Sequence, residues 1–238
     1  MNRQIVIWEE RRVPSKSTPI LSKFQQFDEN AGVALDLKFG PGSFEFLLAA
    51  AIETGQVKVY DFTNRKEIVS TIPVSRACES VSWNKTGGTQ MLAVGSQVEI
   101  ENLASDLLTI WELDESWKRV GDLISKDAEL GRRVSEISWA PQNGRSFHYL
   151  AAITERALIV VMFKIDMEQK PSTLVNIQPI VLDHHTDLKW LRVSWNYMAT
   201  ILAASNRFKS IELFMRFSQT EFKRFQSFDS LEKQINTA

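Results

Sequence analysis

Cysteine is almost missing from this sequence: Cys78 is the only one in 238 residues. A disulfide framework within the chain is thereby excluded, and the composition fits a reducing compartment such as cytosol or nucleus. Its apolar neighbours Ala77 and Val81 mark Cys78 as a buried structural thiol. Histidine is nearly as scarce, with His148, His184 and His185 only. No CxxC, HExxH or GxSxG occurs, and no glycine-rich loop ends in Gly-Lys-Ser/Thr, so the usual signatures of metal, hydrolase and nucleotide chemistry are missing. No apolar run approaches the ~20 residues of a membrane span. The opening Ile5-Val6-Ile7-Trp8 is too short for the core of a signal peptide and runs straight into charge. Without secretion, Asn84-Lys85-Thr86 is an empty match to a glycosylation acceptor. Net charge is −1, so no overall field favours nucleic acid or an anionic membrane. No Pro/Gly/Ser-rich linker divides residues 1–238, a length that one all-β domain can fill.

What the chain does have is repetition. Val57-Lys58-Val59-Tyr60 has siblings at Ile5-Val6-Ile7-Trp8, Leu108-Thr109-Ile110-Trp111, Val160-Val161-Met162-Phe163 and Ile211-Glu212-Leu213-Phe214, whose closing aromatics lie 52, 51, 52 and 51 residues apart. A second series alternates polar and apolar side chains: Asp36-Leu37-Lys38-Phe39, Ser80-Val81-Ser82-Trp83, Glu136-Ile137-Ser138-Trp139 and Arg192-Val193-Ser194-Trp195. Period two with an apolar face predicts strands. Turn chemistry follows each: Gly40-Pro41-Gly42, Asn84 to Gly88, Ala140 to Gly144, and Asn196-Tyr197. A third series is small and apolar, Leu48-Ala49-Ala50, Leu92-Ala93-Val94, Leu150-Ala151-Ala152 and Leu202-Ala203-Ala204, which lets neighbouring sheets approach closely. Looser strands are expected at Phe24 to Phe27, Lys66 to Ile72, Trp117 to Leu123, Leu174 to Leu182 and Phe222 to Phe228.

Four strands per unit, repeated radially, describe the blades of a β-propeller. The expected architecture is all-β and incomplete: about four complete four-stranded blades plus two N-terminal strands of a partial one. Their expected limits are 1–28 (partial), 33–75, 77–124, 133–182 and 189–228. The period exceeds the ~40–45 residues of a WD-type blade. The polar stretch Ser96 to Asp106, with Glu99 and Glu101, reads as one of the longer loops that this requires, a solvated hairpin loop with a partner-binding loop as the alternative.

The residues that could carry chemistry are weak. His184 and His185 lie between Asp183 and Asp187, but neighbours on a strand point to opposite faces and do not converge on one ion. The positions expected to face the central channel, Asp36, Ser80, Glu136 and Arg192, are mixed and uncoordinated. No catalytic residue, metal ligand or cofactor site is assigned, and no enzyme activity is expected. Of the tryptophans, Trp8, Trp83, Trp111, Trp139 and Trp195 fall on the repeat and are expected between blades. Trp117 and Trp190 read as core near strand starts, with a surface hot spot as the alternative.

Ser138-Trp139-Ala140-Pro141-Gln142-Asn143-Gly144-Arg145-Ser146-Phe147-His148-Tyr149-Leu150-Ala151 resembles a signature stretch of the Seh-one (Sec-thirteen homologue) family of nucleoporins. So do Arg192 to Asn196 with Thr200 to Ser205, the opening Arg3 to Glu10, and the loop after Ala93 to Ser96. The resemblance runs along essentially the whole chain, and its Gly-Arg-Ser-Phe-His run separates it from the sister coat protein of COPII vesicles. It implies a WD-repeat propeller that is not closed by itself. A helical nucleoporin of the nuclear pore Y-complex donates the missing blade, and the same propeller serves the GATOR complex in amino-acid signalling at the lysosome. It implies a protein-binding scaffold at the nuclear envelope without small-molecule substrate, direct nucleic acid contact or membrane insertion. The WD ending itself is eroded: only Tyr60-Asp61 approaches it, so packing is expected to replace Asp-centred turn networks. Set against the family, Met1 falls inside the second blade. The expected mechanism is complementation of open edges, with Ile5, Ile7 and Trp8 near one open end and Phe222, Phe225 and Phe228 near the other. The competing readings are a vesicle-coat scaffold and, further off, a propeller enzyme.

Overall fold

The computed structural model describes residues 4–12, 18–28, 32–42, 46–62, 70–74, 77–85, 89–98, 106–125, 129–168, 170–185 and 190–228. Among them are eighteen strands and no α-helix. A two-stranded sheet joins β1 (Gln4–Arg11) to β2 (Ile20–Asp28). Four antiparallel meanders follow: β3 (Ala34–Phe39), β4 (Leu47–Ile52), β5 (Gln56–Asp61) and β6 (Ser70–Pro73); β7 (Cys78–Trp83), β8 (Gln90–Ser96), β9 (Asp106–Leu113) and β10 (Trp117–Ser125); β11 (Val134–Trp139), β12 (His148–Thr154), β13 (Ala157–Asp166) and β14 (Thr173–His184); β15 (Trp190–Trp195), β16 (Ile201–Asn206), β17 (Ile211–Arg216) and β18 (Phe222–Phe228). Of the expected strand at Lys66 to Ile72, only the end from Ser70 lies within the described residues, and Glu99 and Glu101 fall outside them.

The register of each meander is the same. The third-series alanines sit opposite both neighbouring strands, as in Lys38–Ala49–Val59, Ser82–Ala93–Ile110, Ser138–Ala151–Val160 and Ser194–Ala203–Leu213. A strand's side chains alternate between two faces. Leu92 and Val94 therefore pack back onto β4 and β5, while Met91 and Ala93 pack forward onto β12 and β13. Gly95 completes this contact, because a Cβ there would lie 2.6 Å from Ser80 Oγ and 2.9 Å from Val134 Cγ1 of the next sheet. The turn after β11 needs left-handed backbone at Asn143 (φ 49°) and Gly144 (φ 74°), which these two residue types tolerate.

The innermost strands β3, β7, β11 and β15 touch in sequence, so the sheets are arranged as blades about an axis. Blade is locked to blade at the tryptophans ending β7, β11 and β15. Trp83 Nε1 donates to Lys38 O and Trp195 Nε1 to Ser138 O, both at 2.9 Å, and Trp139 N–H donates to Ser82 Oγ at 2.9 Å. Glu112, beside Trp111, takes over part of the role that the lost WD aspartates would have had. It accepts the Ser172 N–H at 2.9 Å and pairs with Lys170 at 3.2 Å, both from the next blade. Burial opposes the Glu112 charge, but these bonds outweigh it and hold the carboxyl below the usual range.

Four apolar clusters fill the spaces between consecutive sheets, and among the described residues none joins the last sheet to the first. The arrangement is an arc. Cys78 is fully buried, and burial, with Glu79 beside it, pushes its thiol up to about 12. Trp190 is 2% exposed and Trp117 packs on Trp83 at 6.1 Å, so both belong to the core. Trp8 does not. Its side chain is 60% exposed because alternation along β1 puts it on the face opposite Ile5 and Ile7, and among the described residues no sheet stands against that face.

Candidate partner interface at the open flanks

The last blade differs from the others in what covers it. In β4 and β12 every residue is buried, whereas β16 alternates, with Leu202, Ala204 and Asn206 buried and Ile201, Ala203 and Ser205 only partly so. β17 repeats the pattern, with Glu212 and Phe214 inward and Ile211, Leu213 and Met215 outward. Register joins these outward residues into one surface: Ile201 opposes Met215, Ala203 opposes Leu213, Ser205 opposes Ile211, and Ile211 opposes Phe228. This surface occupies the same register positions as Ser138, Ala151 and Val160, which the last blade itself covers in the preceding one. Arg224 pins β18 down through Glu212 at 2.7 Å and Asp183 at 3.5 Å.

At the other end, β1 and β2 cover only the outer part of the first full blade, through Ile5 and Phe27 on Leu48, Ala50 and Tyr60. The inner strand β3 is left with Leu35, Leu37 and Phe39 at 45%, 42% and 58% exposure. An uncovered apolar face of this kind marks an interaction site or an aggregation liability.

Between the flanks, three of the four expected channel positions, Asp36, Glu136 and Arg192, are cross-linked rather than uncoordinated, which corrects the sequence reading for them, while Ser80 is buried without a hydrogen-bond partner among the described residues. Arg192 donates to Glu136 at 2.5 Å, Arg133 to Glu79 at 2.8 Å, and Asp36 accepts the Val81 N–H at 3.1 Å while pairing with Lys38 at 2.9 Å. Each pair but the last bridges two blades, a register that no local pattern reveals. Burial raises the Glu136 carboxyl, with Lys38 and Arg192 pulling the other way. Burial, then the Lys38 charge, lowers Lys85. Two clefts line this channel, about 450 Å³ beside Glu79, Arg133 and Arg192 and about 300 Å³ beside Lys38, Trp83 and Glu136. His185 N–H bonds Arg156 O at 2.7 Å, and among the described residues no group of three or more His, Cys, Asp or Glu could hold a metal.

The six residues expected at the open ends are split. Trp8, Phe225 and Phe228 are exposed at 60%, 43% and 46%. Ile5 is buried and Ile7 packs beside it. Phe222 faces the preceding blade, 5.7 Å from the Tyr149 ring and 6.0 Å from Trp195. Sequence reasoning missed Leu37, Phe39, Ile211, Leu213 and Met215. The signal was present in the alternation of the last repeat, but which face lacked a neighbour was not.

These features define an open, WD-type β-propeller. No protein-family model matches the chain. It is 30% identical over 182 residues to nucleoporin SEH1-A of Xenopus laevis and to nucleoporin SEH1 of Homo sapiens, and 29% identical to nucleoporin SEH1 of Danio rerio. Each match covers 71% of this chain. The chain is a homologue of the SEH1 nucleoporins over that span, and it spans about half the length of these relatives.

Proposed function

We propose that this protein is a non-enzymatic scaffold subunit of the nuclear pore that holds a partner by accepting β-structure at its open flanks. The observation that carries the reading is the outward face of the last blade. Ser194, Ala203 and Leu213 repeat the small-and-apolar pattern that is covered at Ser138, Ala151 and Val160, yet among the described residues no sheet covers them. A donated strand or blade would remove apolar area from water at roughly 25 cal/mol per Å² and satisfy the edge of an inner strand. The SEH1 names of the relatives supply the setting, a nuclear pore subunit at the nuclear envelope; the donor would be a helical nucleoporin carrying a β-segment. The acids along the channel support the absence of chemistry, since Asp36, Glu79 and Glu136 are each held by a cation. The same face would serve a GATOR-type assembly equally well.

The test is hydrogen exchange on the chain alone and in complexes purified from its own cells. Amides of β16 and β17 and of β3 should gain protection in the complex, while β12 and β13 should not change. A free chain that is sharply monomeric, resists limited proteolysis and protects β16 as well as β12 would overturn the reading. Co-purification with COPII coat proteins instead of nucleoporins would move the scaffold to vesicles.

A further inference from the structure

Apart from the open flanks, one end of the last two blades carries positive charge without a countercharge. Arg145 and Arg216 both lie over the ring of Tyr149, with guanidinium carbons 5.7 and 5.1 Å from its centroid. Among the described residues neither pairs with a carboxylate; Arg145 donates to the carbonyls of Pro141 and Met198, the latter at 3.3 Å. The acid in the adjoining turn, Glu221, is held by Lys223 at 2.8 Å. Tyr149 is fixed from below, its hydroxyl donating to Gln219 O at 2.7 Å and its ring packed against Trp195 and Phe222. Three turns meet here. Asn143 Nδ2 donates to Tyr197 O at 2.8 Å and Arg216 N–H to Thr200 O at 2.8 Å. Beside the arginines stand Tyr197, Met198 and Phe217, exposed at 82%, 55% and 59%.

We infer that this corner is a docking site for a short acidic peptide, whose carboxylates or phosphates bridge Arg145 and Arg216 while an apolar side chain rests among Tyr197, Met198 and Phe217. Two like charges fixed over one ring repel each other, and an anion between them removes that cost; a fixed guanidinium fork suits either oxyanion. Burial, and then the Arg216 charge, lowers the Arg145 pKa in keeping with this. A peptide fits better than a nucleic acid, because a polyanion needs a run of phosphate contacts and the chain carries net charge −1. The site is at the blade end, independent of whatever covers the flanks.

Fluorescence anisotropy of the full chain tests it with three labelled probes: glutamates flanking a phenylalanine, the same peptide with phosphoserines, and a glutamine-substituted control. Binding of either acidic probe, weakened by salt and absent for the control, supports the site, and the stronger of the two identifies the anion. Arg216→Gln should weaken binding by roughly tenfold, Arg216→Lys should restore part of it, and Arg207→Gln, in a turn at the opposite end of the blade, should leave it unchanged. Unchanged melting of Arg216→Gln separates this loss from unfolding. Failure of both acidic probes to bind, equal binding by Arg216→Gln, or capture of single-stranded RNA in place of peptide would overturn the inference.

Discussion

The blade of β11–β14 and the blade of β15–β18 are built from nearly the same words. Glu136-Ile137-Ser138-Trp139 answers to Arg192-Val193-Ser194-Trp195, and Leu150-Ala151-Ala152 to Leu202-Ala203-Ala204. In the first, β12 is buried on both faces, while in the second β16 is buried on one. Burial here depends on place in the stack more than on local sequence. The last blade therefore carries a face that repetition suits to contact and that no described residue covers, the face proposed to receive a partner.

Paired substitutions test that contrast most strongly. Ala151→Glu puts a charge where exposure is nil and should abolish cooperative unfolding, since an unpaired buried charge costs several kcal/mol. Ala203→Glu, at the matching register position, should lower the unfolding free energy of the free chain, read from urea melts, by no more than about 1 kcal/mol while preventing partner binding. Equal costs at the two sites would show that the last face is covered in solution. The next effect concerns the inner aromatics. Trp139, fully buried among His148 and Phe163, should cost about 3–5 kcal/mol on truncation to alanine in thermal unfolding. Trp195, 7% exposed and held against the preceding blade through Ser138 O, should cost a similar amount.

Proton uptake separates the blades next. His148 is buried beside Trp139 and stacked on Phe163 at 5.4 Å, and burial, with Arg145 nearby, lowers its pKa to about 4 from 6.5. The unfolded chain binds this proton more readily than the folded one. The stability it contributes is full above pH 6.5 and falls as pH drops towards 4, by at most about 3 kcal/mol. Melting curves across that window should decline less for His148→Phe, which keeps the stack but cannot be protonated. Glu112 works lower down: its depressed carboxyl contributes above the ordinary glutamate range, and the contribution is lost as pH falls through its folded value. The smallest effect is at the far flank. Trp8→Ser should change the stability of the free chain by under about 0.5 kcal/mol, because the ring is 60% exposed, yet it should weaken partner capture if that flank takes part.

How far the sequence could be read follows from the range of each interaction. The aromatics Tyr60, Trp111 and Phe214 could be placed because the repeat gives each the same partner, Leu48, Leu92 and Leu202, whereas Phe163 pairs with His148, two positions from the matching Leu150. The same rule put Trp8 on the corresponding face, opposite Ile5 and Ile7, but not in the core, because no described sheet covers that face. Phe222 could be assigned to a last strand, but not to a contact with Tyr149, which lies more than seventy residues back. The Arg192–Glu136 and Arg133–Glu79 pairs were invisible for the same reason: each joins two blades across more than fifty residues.

By itself, the order of the residues determined the strands, their grouping in fours and the small residues that let sheets stack, because alternation and turn chemistry act over a few residues. Only the assembled arc decided which of those identical faces would be covered, since solvent exposure depends on whether another sheet stands opposite. That is a property of the neighbours and not of the strand, and it makes the last blade a surface where its sisters are core.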